Sequence, residues 1–206
     1  MLIDLRTICH KYNFVPKGII HVGAHKAEEL AVYKELGIKN ILFIEANPEL
    51  CEWMKQNITD PNVKILNYAV SNKDNEVVKF NISNNGESSS LLELKEHLVE
   101  HPNIHYINSI EVTTKKLDTI FEAEGLNIED YDMMNLDIQG AELNALKGFI
   151  YHLDFIDYLY TEVNEAELYE NCALLPEMDQ FLAFFDLKRK ETHMTRHRWG
   201  DAFYSK

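Results

Sequence analysis

The chain has few cysteines, and their spacing argues against disulfides and cysteine-rich zinc sites. Cys9, Cys51 and Cys172 are the three cysteines among 206 residues, and no CxxC pair occurs. An odd number of widely spaced cysteines is typical of a reducing compartment. We therefore expect a cytoplasmic protein with free thiols.

Long apolar segments are also missing. No apolar run approaches the roughly 18 residues that a membrane-spanning helix needs. Residues 1–6, Met-Leu-Ile-Asp-Leu-Arg, do not form a basic segment followed by an apolar one, so no secretory signal is predicted. We expect no membrane insertion.

Basic residues are outnumbered, with 20 Lys and Arg against 34 Asp and Glu and a net charge of −14. This charge disfavours nucleic acid as a partner, because it repels the phosphate backbone. Residues 188–198 are nevertheless basic. They are either a solvated strand pair with charged edges or a cradle for an anionic acceptor.

No repeat or linker interrupts the chain, which has the length of one domain, 1–206. Apolar runs alternate with helix-length segments, and two strands end the chain. This pattern predicts an α/β fold: a Rossmann-like, doubly wound, mostly parallel sheet with an antiparallel C-terminal edge hairpin. The expected strands are 18–24, 40–45, 63–67, 76–82, 109–114, 132–137, 157–163, 185–191 and 199–205, and the expected helices are 2–13, 27–36, 48–57, 116–124, 142–146 and 177–184.

The full GxGxxG fingerprint of dinucleotide-binding sheets is missing, but a glycine after the first strand and an acid at the end of the second strand are present. The first strand ends in His-Val-Gly-Ala-His-Lys-Ala (21–27). Gly23 allows close backbone approach at the start of a helix. Glu45 ends the second strand 22 residues later, where an acid normally binds ribose hydroxyls. Unless the turn is purely structural, these positions indicate a nucleoside-type cofactor, and crowding by Lys26 and Glu28 favours one without phosphates.

A second cluster of polar residues follows later strands. Asp137 closes a buried strand, Glu142 begins the next helix, and Glu162 ends the following strand. Because the carboxyl ends of neighbouring strands meet at one edge, Asp137 and Glu162 are expected to share a proton, a hydroxyl or a divalent metal ion. The alternative is structural: Asp137 satisfies turn amides and Glu142 complements the helix dipole.

At residues 17–165 the chain resembles the FkbM-type methyltransferases. The similarity lies in Ile-His-Val-Gly-Ala-His (20–25), Phe-Ile-Glu-Ala-Asn-Pro (43–48), Asn-Tyr-Ala-Val-Ser (67–71), Ser-Ser-Ser-Leu-Leu (88–92), Thr-Lys-Lys-Leu-Asp (114–118) and, most specifically, Leu-Asp-Ile-Gln-Gly-Ala-Glu-Leu-Asn-Ala-Leu-Lys-Gly (136–148). The resemblance implies a class I methyltransferase fold, S-adenosylmethionine as donor, and O-methylation of a hydroxyl or carboxylate of a sugar, nucleotide-linked sugar or related small polar acceptor.

The same resemblance implies roles for single residues. Gly23 would lie against the cofactor, Glu45 would bind its ribose and Ala69 would line its adenine pocket. The chain departs from the family at His21, where Asp is usual, and at Ala27, where Gly is frequent. The full set of candidate cofactor residues is His21, Gly23, Ala24, His25, Glu45, Ala46, Tyr68, Ala69, Asp137 and Gln139. Cofactor contacts are expected within 17–82 and acceptor contacts within 83–206, after an N-terminal helix at 2–13.

Methyl transfer from a sulfonium needs alignment of donor and acceptor and removal of a hydroxyl proton. Asp137 or Glu162 is the predicted base, or a Mg²⁺ or Mn²⁺ ligand that acidifies the hydroxyl. His193 is the second candidate base. The acceptor is expected to be an anionic sugar or nucleotide sugar; its candidate ligands are Glu142, Asn164, Arg196 and Arg198.

Other interpretations remain open at this level. An NAD-dependent oxidoreductase or epimerase would use the same sheet, although the glycines and a Tyr-x-x-x-Lys pair are missing. A catalytically silent cofactor-binding module would use the acids structurally. Residues 88–90 are either a polar loop or a lid, Trp199 is predicted as core rather than as a wall for a sugar ring, and an oligomer is possible.

Overall fold

The computed structural model describes residues 2–206. The strands are β1 (Gly18–Val22), β2 (Asn40–Glu45), β3 (Val63–Asn67), β4 (Ala69–Val70), β5 (Val77–Ser83), β6 (Tyr106–Lys115), β7 (Met133–Leu136), β8 (Tyr158–Asn164), β9 (Lys188–Met194) and β10 (Trp199–Ser205). The α-helices are α1 (Leu5–Tyr12), α2 (Leu30–Glu35), α3 (Pro48–Asn57), α4 (His97–Glu100), α5 (Leu117–Ala123), α6 (Glu142–Lys147) and α7 (Leu175–Ala183). No described helix is long and apolar enough to cross a membrane.

Seven strands form the main sheet in the order β3-β2-β1-β7-β8-β10-β9. The first five run parallel. Strand β10 is antiparallel to both β8 and β9. This arrangement confirms the predicted doubly wound sheet and its antiparallel C-terminal hairpin.

Helices cover both faces of the main sheet. On β1, Ile19 packs into one hydrophobic cluster and Ile20 into the other, because successive strand side chains point to opposite faces. The cluster around Ile19 includes buried residues of α1, α2 and α3. The cluster around Ile20 includes buried residues of α5, α6 and α7. Burial on both faces explains why all five residues of β1 are buried.

Strands β4, β6 and β5 form a separate three-stranded sheet, in that order. Strands β5 and β6 pair antiparallel, whereas the alternation of strands and helices favours parallel pairing. The physical reason is the connection between them: residues 84–105 contain only the one-turn helix α4, and antiparallel pairing needs no helical crossover. Neither α4 nor β4 was predicted.

The start of α2 also differs from the prediction. The helix begins at Leu30 rather than at residue 27, because His25 and Ala27 adopt left-handed backbone angles with φ of 47° and 59°. The irregular turn after β1 therefore replaces the first helical turn. Smaller shifts occur at α7, which starts at Leu175, and at β9, which covers Lys188–Met194 instead of residues 185–191.

Gly23 is required by a close approach between two neighbouring strand ends. Its φ is +84°, and a Cβ there would lie 1.8 Å from the carbonyl oxygen of Asp137. The amide of Asp137 in turn donates to the carbonyl of Val22 at 3.1 Å. Any side chain larger than hydrogen at residue 23 would clash unless β1 and β7 moved apart.

Substitution at Gly23 can be compared with substitution at Gly37, whose φ is +79° but whose Cβ would meet nothing within 4 Å. We expect Gly37→Ala to lower the free energy of unfolding by about 1–2 kcal/mol, the cost of a left-handed alanine. Gly23→Ala should cost more than about 4 kcal/mol or abolish folding, because it adds a clash. Denaturant unfolding of both variants measures this, and equal losses would show that the contact with Asp137 is unimportant.

Candidate functional site

The candidate site lies at the carboxyl ends of β1, β2, β7 and β8. Gly23, Glu45, Asp137 and Glu162 stand at or immediately beyond these ends. In open parallel sheets this edge is where ligands bind. Two cavities open there, a narrow cleft beside Glu45 and a wider cavity beside Glu162.

The narrow cleft has apolar walls and a volume of about 60 Å³. Its apolar lining includes Ile44, Leu50, Tyr68 and Val70, and residues 86–91 contribute the wall on the side of the small sheet. Pockets that hold small ligands usually measure roughly 300–1,000 Å³. The cleft in this structure is therefore smaller than a nucleoside needs, so some of the residues that line it must shift when one binds.

Glu45 is the polar group of this cleft that is best placed to bind hydroxyls. Its side chain is buried, with Oε2 accepting from the amide of His25 and Oε1 from the amide of Asn47, both at 2.8 Å. Burial raises the pKa of this carboxyl, whereas the backbone hydrogen bonds lower it. Each oxygen keeps a second lone pair. The carboxylate is thus held rigidly, and its two oxygens can still accept hydrogen bonds from two hydroxyl groups.

The wider cavity has a volume of about 430 Å³. It shares five lining residues with the narrow cleft, so the two spaces lie side by side: Gly23, His25, Glu87, Asp137 and Gln139. A molecule in the cleft and a molecule in the cavity would therefore both contact the residues of this junction. Such an arrangement suits the transfer of a group from one bound molecule to another.

Gln139 organises the carboxylates at the junction. Its Nε2 donates to Asp137 Oδ1 at 2.7 Å and to Glu162 Oε2 at 2.9 Å. Its Oε1 accepts from the Tyr169 hydroxyl at 2.5 Å, and its carbonyl accepts from Ser90 Oγ at 2.8 Å. One amide thus joins the carboxylates that follow two neighbouring strands, as the sequence predicts for Asp137 and Glu162.

The two carboxyls bind protons more tightly than ordinary acids. Asp137 is open to the cavity, yet protein atoms surround it, and this burial raises its pKa. Burial raises the pKa of Glu162 well above its usual value, with further contributions from the charges of Asp137, Glu142 and Asp201. A carboxylate whose pKa is raised is a stronger base than an ordinary one, which suits it to accepting the proton of a hydroxyl.

Glu142 has a structural position rather than the acceptor-binding position that was predicted. It is buried, and its Oε1 accepts from the amides of Ile138 and Gly140 at 3.0 and 3.1 Å. It lines neither the cleft nor the wider cavity. Burial, followed by the charge of Asp137, raises its pKa to about 7. Glu142 thus satisfies turn amides at the start of α6, a structural role that the sequence indicated for Asp137, whereas Glu142 was expected to complement the helix dipole.

Four other candidate residues lie away from both cavities. His193 is exposed on β9, and Arg196 and Arg198 are exposed in the turn that follows. Arg198 forms an ion pair with Glu96, so the basic segment is partly neutralised by α4 and its N-cap. Asn164 is buried and forms a backbone bridge to Leu174. His193, Arg196 and Arg198 are thus on the surface at the edge of the sheet, as in the alternative of a solvated strand pair for residues 188–198.

The candidate cofactor residues divide between the two cavities. Ala46 and Tyr68 line the cleft, whereas Ala24 and His21 line the wider cavity. Ala69 is buried in β4 and lines neither cavity, because its neighbours Tyr68 and Val70 face the cleft in its place. The structure thus places the neighbours of Ala69, and not Ala69 itself, on the wall of the cleft.

His21 is held as a neutral imidazole. Its Nδ1 accepts from the Tyr33 hydroxyl at 3.1 Å, and that hydroxyl accepts from the Asn135 amide at 2.8 Å. Burial lowers the pKa of His21 to about 3. The residue that replaces the family's usual acid thus adds no charge to the cavity.

Within residues 2–206, no group of three or more His, Cys, Asp and Glu side chains is arranged to hold a metal ion. The predicted Mg²⁺ or Mn²⁺ site at Asp137 and Glu162 is not supported by a third ligand of this kind. Gln139 already bridges the two carboxylates.

The sequence-based prediction did not include several residues that line the wider cavity, and it placed one of them in the core. Glu87, His97, His101 and Tyr169 line the wider cavity, but they lie in segments without a strand or helix pattern. Trp199 was expected in the core and instead lines this cavity while only partly buried. No local signal distinguishes these residues, because the long connections between strands bring them together.

Comparison with known proteins agrees with this geometry. Residues 21–192 match the Methyltransferase FkbM domain model. A 2-O-methyltransferase, NoeI of Sinorhizobium fredii, is 25% identical over 177 residues, which are 82% of this chain and 72% of that protein.

Solved structures show the same fold. A methyltransferase FkbM from Methylobacillus flagellatus KT superposes with a TM-score of 0.59 at 15% identity over 92% of this chain. The match spans only 43% of the length of that protein. Magnesium protoporphyrin IX methyltransferase of Synechocystis, solved with bound SAM, gives a TM-score of 0.50 at 8% identity, covering 97% of this chain and 75% of that one.

The fold is that of class I methyltransferases. Since the FkbM domain model matches most of the chain, the protein belongs to the FkbM methyltransferase family.

The geometry of Glu45 predicts its contribution to cofactor binding. Glu45→Ala should weaken binding of S-adenosylhomocysteine by roughly 1.5–3 kcal/mol, or about 10- to 100-fold, because hydrogen bonds to a charged group are lost. Calorimetric titration measures the dissociation constant, with Glu49→Ala, an exposed glutamate of α3, as the control. An unchanged dissociation constant in a folded Glu45→Ala protein would show that Glu45 does not bind the cofactor.

The raised pKa of Glu142 predicts a pH effect on stability. The folded protein holds this proton more tightly than the unfolded chain, so the stabilising contribution is complete below about pH 4.5 and disappears as pH rises through about 7. Glu142→Gln keeps an acceptor without this titration. The quantity to measure is the melting temperature of Glu142→Gln minus that of the unsubstituted protein. We expect this difference to increase as the pH is raised from 4.5 to 7.5.

The control for this pH series is Glu177→Gln. Glu177 also accepts from a backbone amide at a helix start, that of Leu174 at 2.8 Å, but it is exposed. The effect on the free energy of unfolding at Glu142 should be on the order of 2–3 kcal/mol across the range. A difference that stays constant with pH would contradict the assignment of a buried, proton-binding Glu142.

Proposed function

We propose that the protein transfers the methyl group of S-adenosylmethionine to a hydroxyl oxygen of a small, uncharged, sugar-like molecule. The observation that carries the proposal is the junction at Asp137 and Gln139. There the apolar cleft with its hydroxyl-binding Glu45 lies beside the polar cavity of about 430 Å³. The donor would occupy the cleft and the acceptor the cavity.

The shape of the cleft favours S-adenosylmethionine over a dinucleotide. Leu50, Tyr68 and Val70 give the cleft an apolar wall suited to adenine, and Glu45 is placed for the ribose. No Lys or Arg lines this cleft, and the turn after Gly23 contains the left-handed residues His25 and Ala27 in place of glycines. These features support a nucleoside cofactor without a pyrophosphate, in agreement with membership of a methyltransferase family.

The reaction would proceed as an in-line displacement at the junction. The acceptor oxygen forms a bond to the methyl carbon while the bond between that carbon and sulfur breaks, and its electron pair returns to sulfur. The hydroxyl proton passes to a carboxylate. Asp137 is favoured as the base because it lines both the cleft and the cavity, whereas Glu162 lines only the cavity. Gln139 positions the two carboxylates.

The charges of the wider cavity argue for an uncharged acceptor. Six carboxyl groups line it, and among the described residues no Lys or Arg does; the six belong to Glu28, Glu29, Glu87, Asp137, Glu162 and Asp201. An anion in this space would lie among an excess of acidic side chains, which disfavours its binding. Hydroxyl groups, by contrast, can donate to carboxylates. This revises the anionic acceptor that residues 188–198 suggested, and the partly buried Trp199 gives the cavity an aromatic wall suited to a sugar ring.

The proposal also covers the organisation of the chain. We assign residues 1–206 to one methyltransferase unit, with most cofactor contacts within 17–82 and acceptor contacts within 83–206. Asp137 and Gln139 belong to both sets. The O-methyl specificity is supported by the 2-O-methyltransferase from Sinorhizobium fredii, at 25% identity.

Loss of the base should reduce turnover without loss of the cofactor. Asp137→Asn should lower kcat by about 10²–10⁴-fold, and Glu162→Gln by a smaller factor, while S-adenosylhomocysteine binds with near-normal affinity. The matched control is Asp132→Asn, a half-buried aspartate at the opposite end of β7 that accepts from the amide of Lys17 at 3.0 Å. Normal turnover in both Asp137→Asn and Glu162→Gln would exclude the proposed proton transfer.

The acceptor's charge can be tested with paired substrates. We expect methyl glucoside to be methylated with a kcat/KM at least tenfold above that of methyl glucuronoside, with added salt narrowing the gap. Arg196→Ala and Arg198→Ala should leave both values within twofold, because neither side chain lines the cavity. Preference for the glucuronoside, together with a raised KM in both arginine variants, would instead show that the acceptor is anionic.

A catalytically silent cofactor-binding module is the remaining alternative. It would bind S-adenosylhomocysteine and depend on Glu45 in the same way, but it would release no S-adenosylhomocysteine from S-adenosylmethionine with any hydroxylated acceptor. Following that release with a panel of methyl glycosides separates the two functions.

A further inference from the structure

Helix α4 forms one wall of the wider cavity and has no part in the methyl transfer described above. It is fixed by backbone contacts with the segment after β8. The amides of Lys95 and His97 donate to the carbonyl of Leu168 at 2.8 and 3.1 Å. Leu94 and Tyr169 also form a β-bridge. The position of His97 is therefore set by the backbone on both sides of the cavity.

The imidazole of His97 is buried and lacks the partner that buried polar groups normally have. It is 5% exposed, yet it lines the cavity. Its Nδ1 has no hydrogen-bond partner among the described residues. Nearly all buried polar side-chain atoms in proteins are hydrogen-bonded. An unsatisfied imidazole beside a cavity therefore points to a ligand that supplies the bond, and because Nδ1 is itself enclosed, the ring has to turn toward the cavity to form it.

Tyr169 relates His97 to the point of methyl transfer. The Tyr169 hydroxyl donates to Gln139 at the junction. Its ring lies 5.3 Å, centroid to centroid, from the His97 ring. Tyr169 thus contacts both His97 and Gln139, and all three residues line the same cavity as Asp137. A molecule bound in this cavity can therefore be contacted by His97 and by Asp137 together.

The chemistry of His97 fits a hydroxyl and not an anion. Burial, followed by the charge of His101, lowers the pKa of His97 to about 4, so the ring is neutral at pH 7. A neutral imidazole offers one donor and one acceptor, the same pair that a hydroxyl offers. His101, whose ring lies 4.9 Å from that of His97, has its pKa lowered in the same direction, chiefly by burial.

We propose that His97 hydrogen-bonds to a hydroxyl of the acceptor and thereby determines which other hydroxyl of that molecule faces Asp137. This inference rests on the proposed methyl transfer and adds a specificity-determining residue to it. His97 touches neither the cofactor cleft nor the carboxylates. Its loss should therefore change acceptor recognition and leave cofactor binding intact.

The test compares His97→Phe, which keeps a planar ring without nitrogens, with His97→Gln, which keeps a donor and an acceptor. The control is His105→Phe at an exposed position outside the cavity. The probes are uncharged methyl hexopyranosides and their monodeoxy analogues, titrated into the complex with S-adenosylhomocysteine. The melting temperature of each unliganded variant is measured first.

Three results are expected for His97→Phe. Its melting temperature without ligand equals or exceeds that of the unsubstituted protein, because an unsatisfied polar group is removed. The dissociation constant for S-adenosylhomocysteine stays within twofold. Affinity for the glycosides falls at least tenfold, and the methylated product changes from one positional isomer to several. His97→Gln retains most of the affinity, and His105→Phe behaves like the unsubstituted protein.

Unchanged glycoside affinity and a single product isomer in His97→Phe would overturn the assignment. It would also be overturned if the unsubstituted complex bound none of the uncharged glycosides. Failure of the proposed function gives a different result: the unsubstituted protein would not bind S-adenosylhomocysteine, or would transfer no methyl group to a glycoside that it binds. Glycoside binding needs no turnover, so the two failures are distinguishable.

Discussion

The contact between Gly23 and the Asp137 carbonyl is the constraint on which the site depends. It brings the ends of β1 and β7 so close that no side chain fits between them. As a result, the turn that borders the cofactor cleft and the turn that carries the carboxylates form one surface. Glu45 then lies on the cleft side of this surface and Glu162 on the cavity side. A wider spacing of the two strands would separate donor from acceptor.

Burial of several carboxyl groups follows from this close packing. Asp137, Glu142 and Glu162 each have a raised pKa, because burial and mutual repulsion disfavour the charged forms. Hydrogen bonds from Gln139 offset part of that cost. This electrostatic cost falls at the place where the proposed reaction removes a hydroxyl proton. Such a concentration of perturbed acids is typical of functional sites.

The sequence predicted the parts of the site that follow directly from strand ends. Gly23, Glu45, Asp137 and Glu162 could be placed because each comes at or just after a buried strand, and parallel strands present these positions at one edge. The parallel core and the final hairpin were also predictable, because the spacing of apolar residues indicates which segments are buried. The family resemblance added the methyl donor, and the match of residues 21–192 to the FkbM domain confirms the family.

Side chains on long connections could not be placed in the same way. His97 and Tyr169 reach the cavity through segments whose path depends on tertiary contacts, such as the bridge between Leu94 and Tyr169. The basic residues near 196 could not be placed relative to the cavity either, because charge in a sequence does not show which face of an edge hairpin it occupies. The most direct measurement is a crystal structure with bound S-adenosylhomocysteine. The account predicts the ribose on Glu45, the sulfur at the junction beside Asp137, and a shift of some of the residues that line the cleft. A nucleoside bound in the wider cavity, with Glu45 uncontacted, would contradict it.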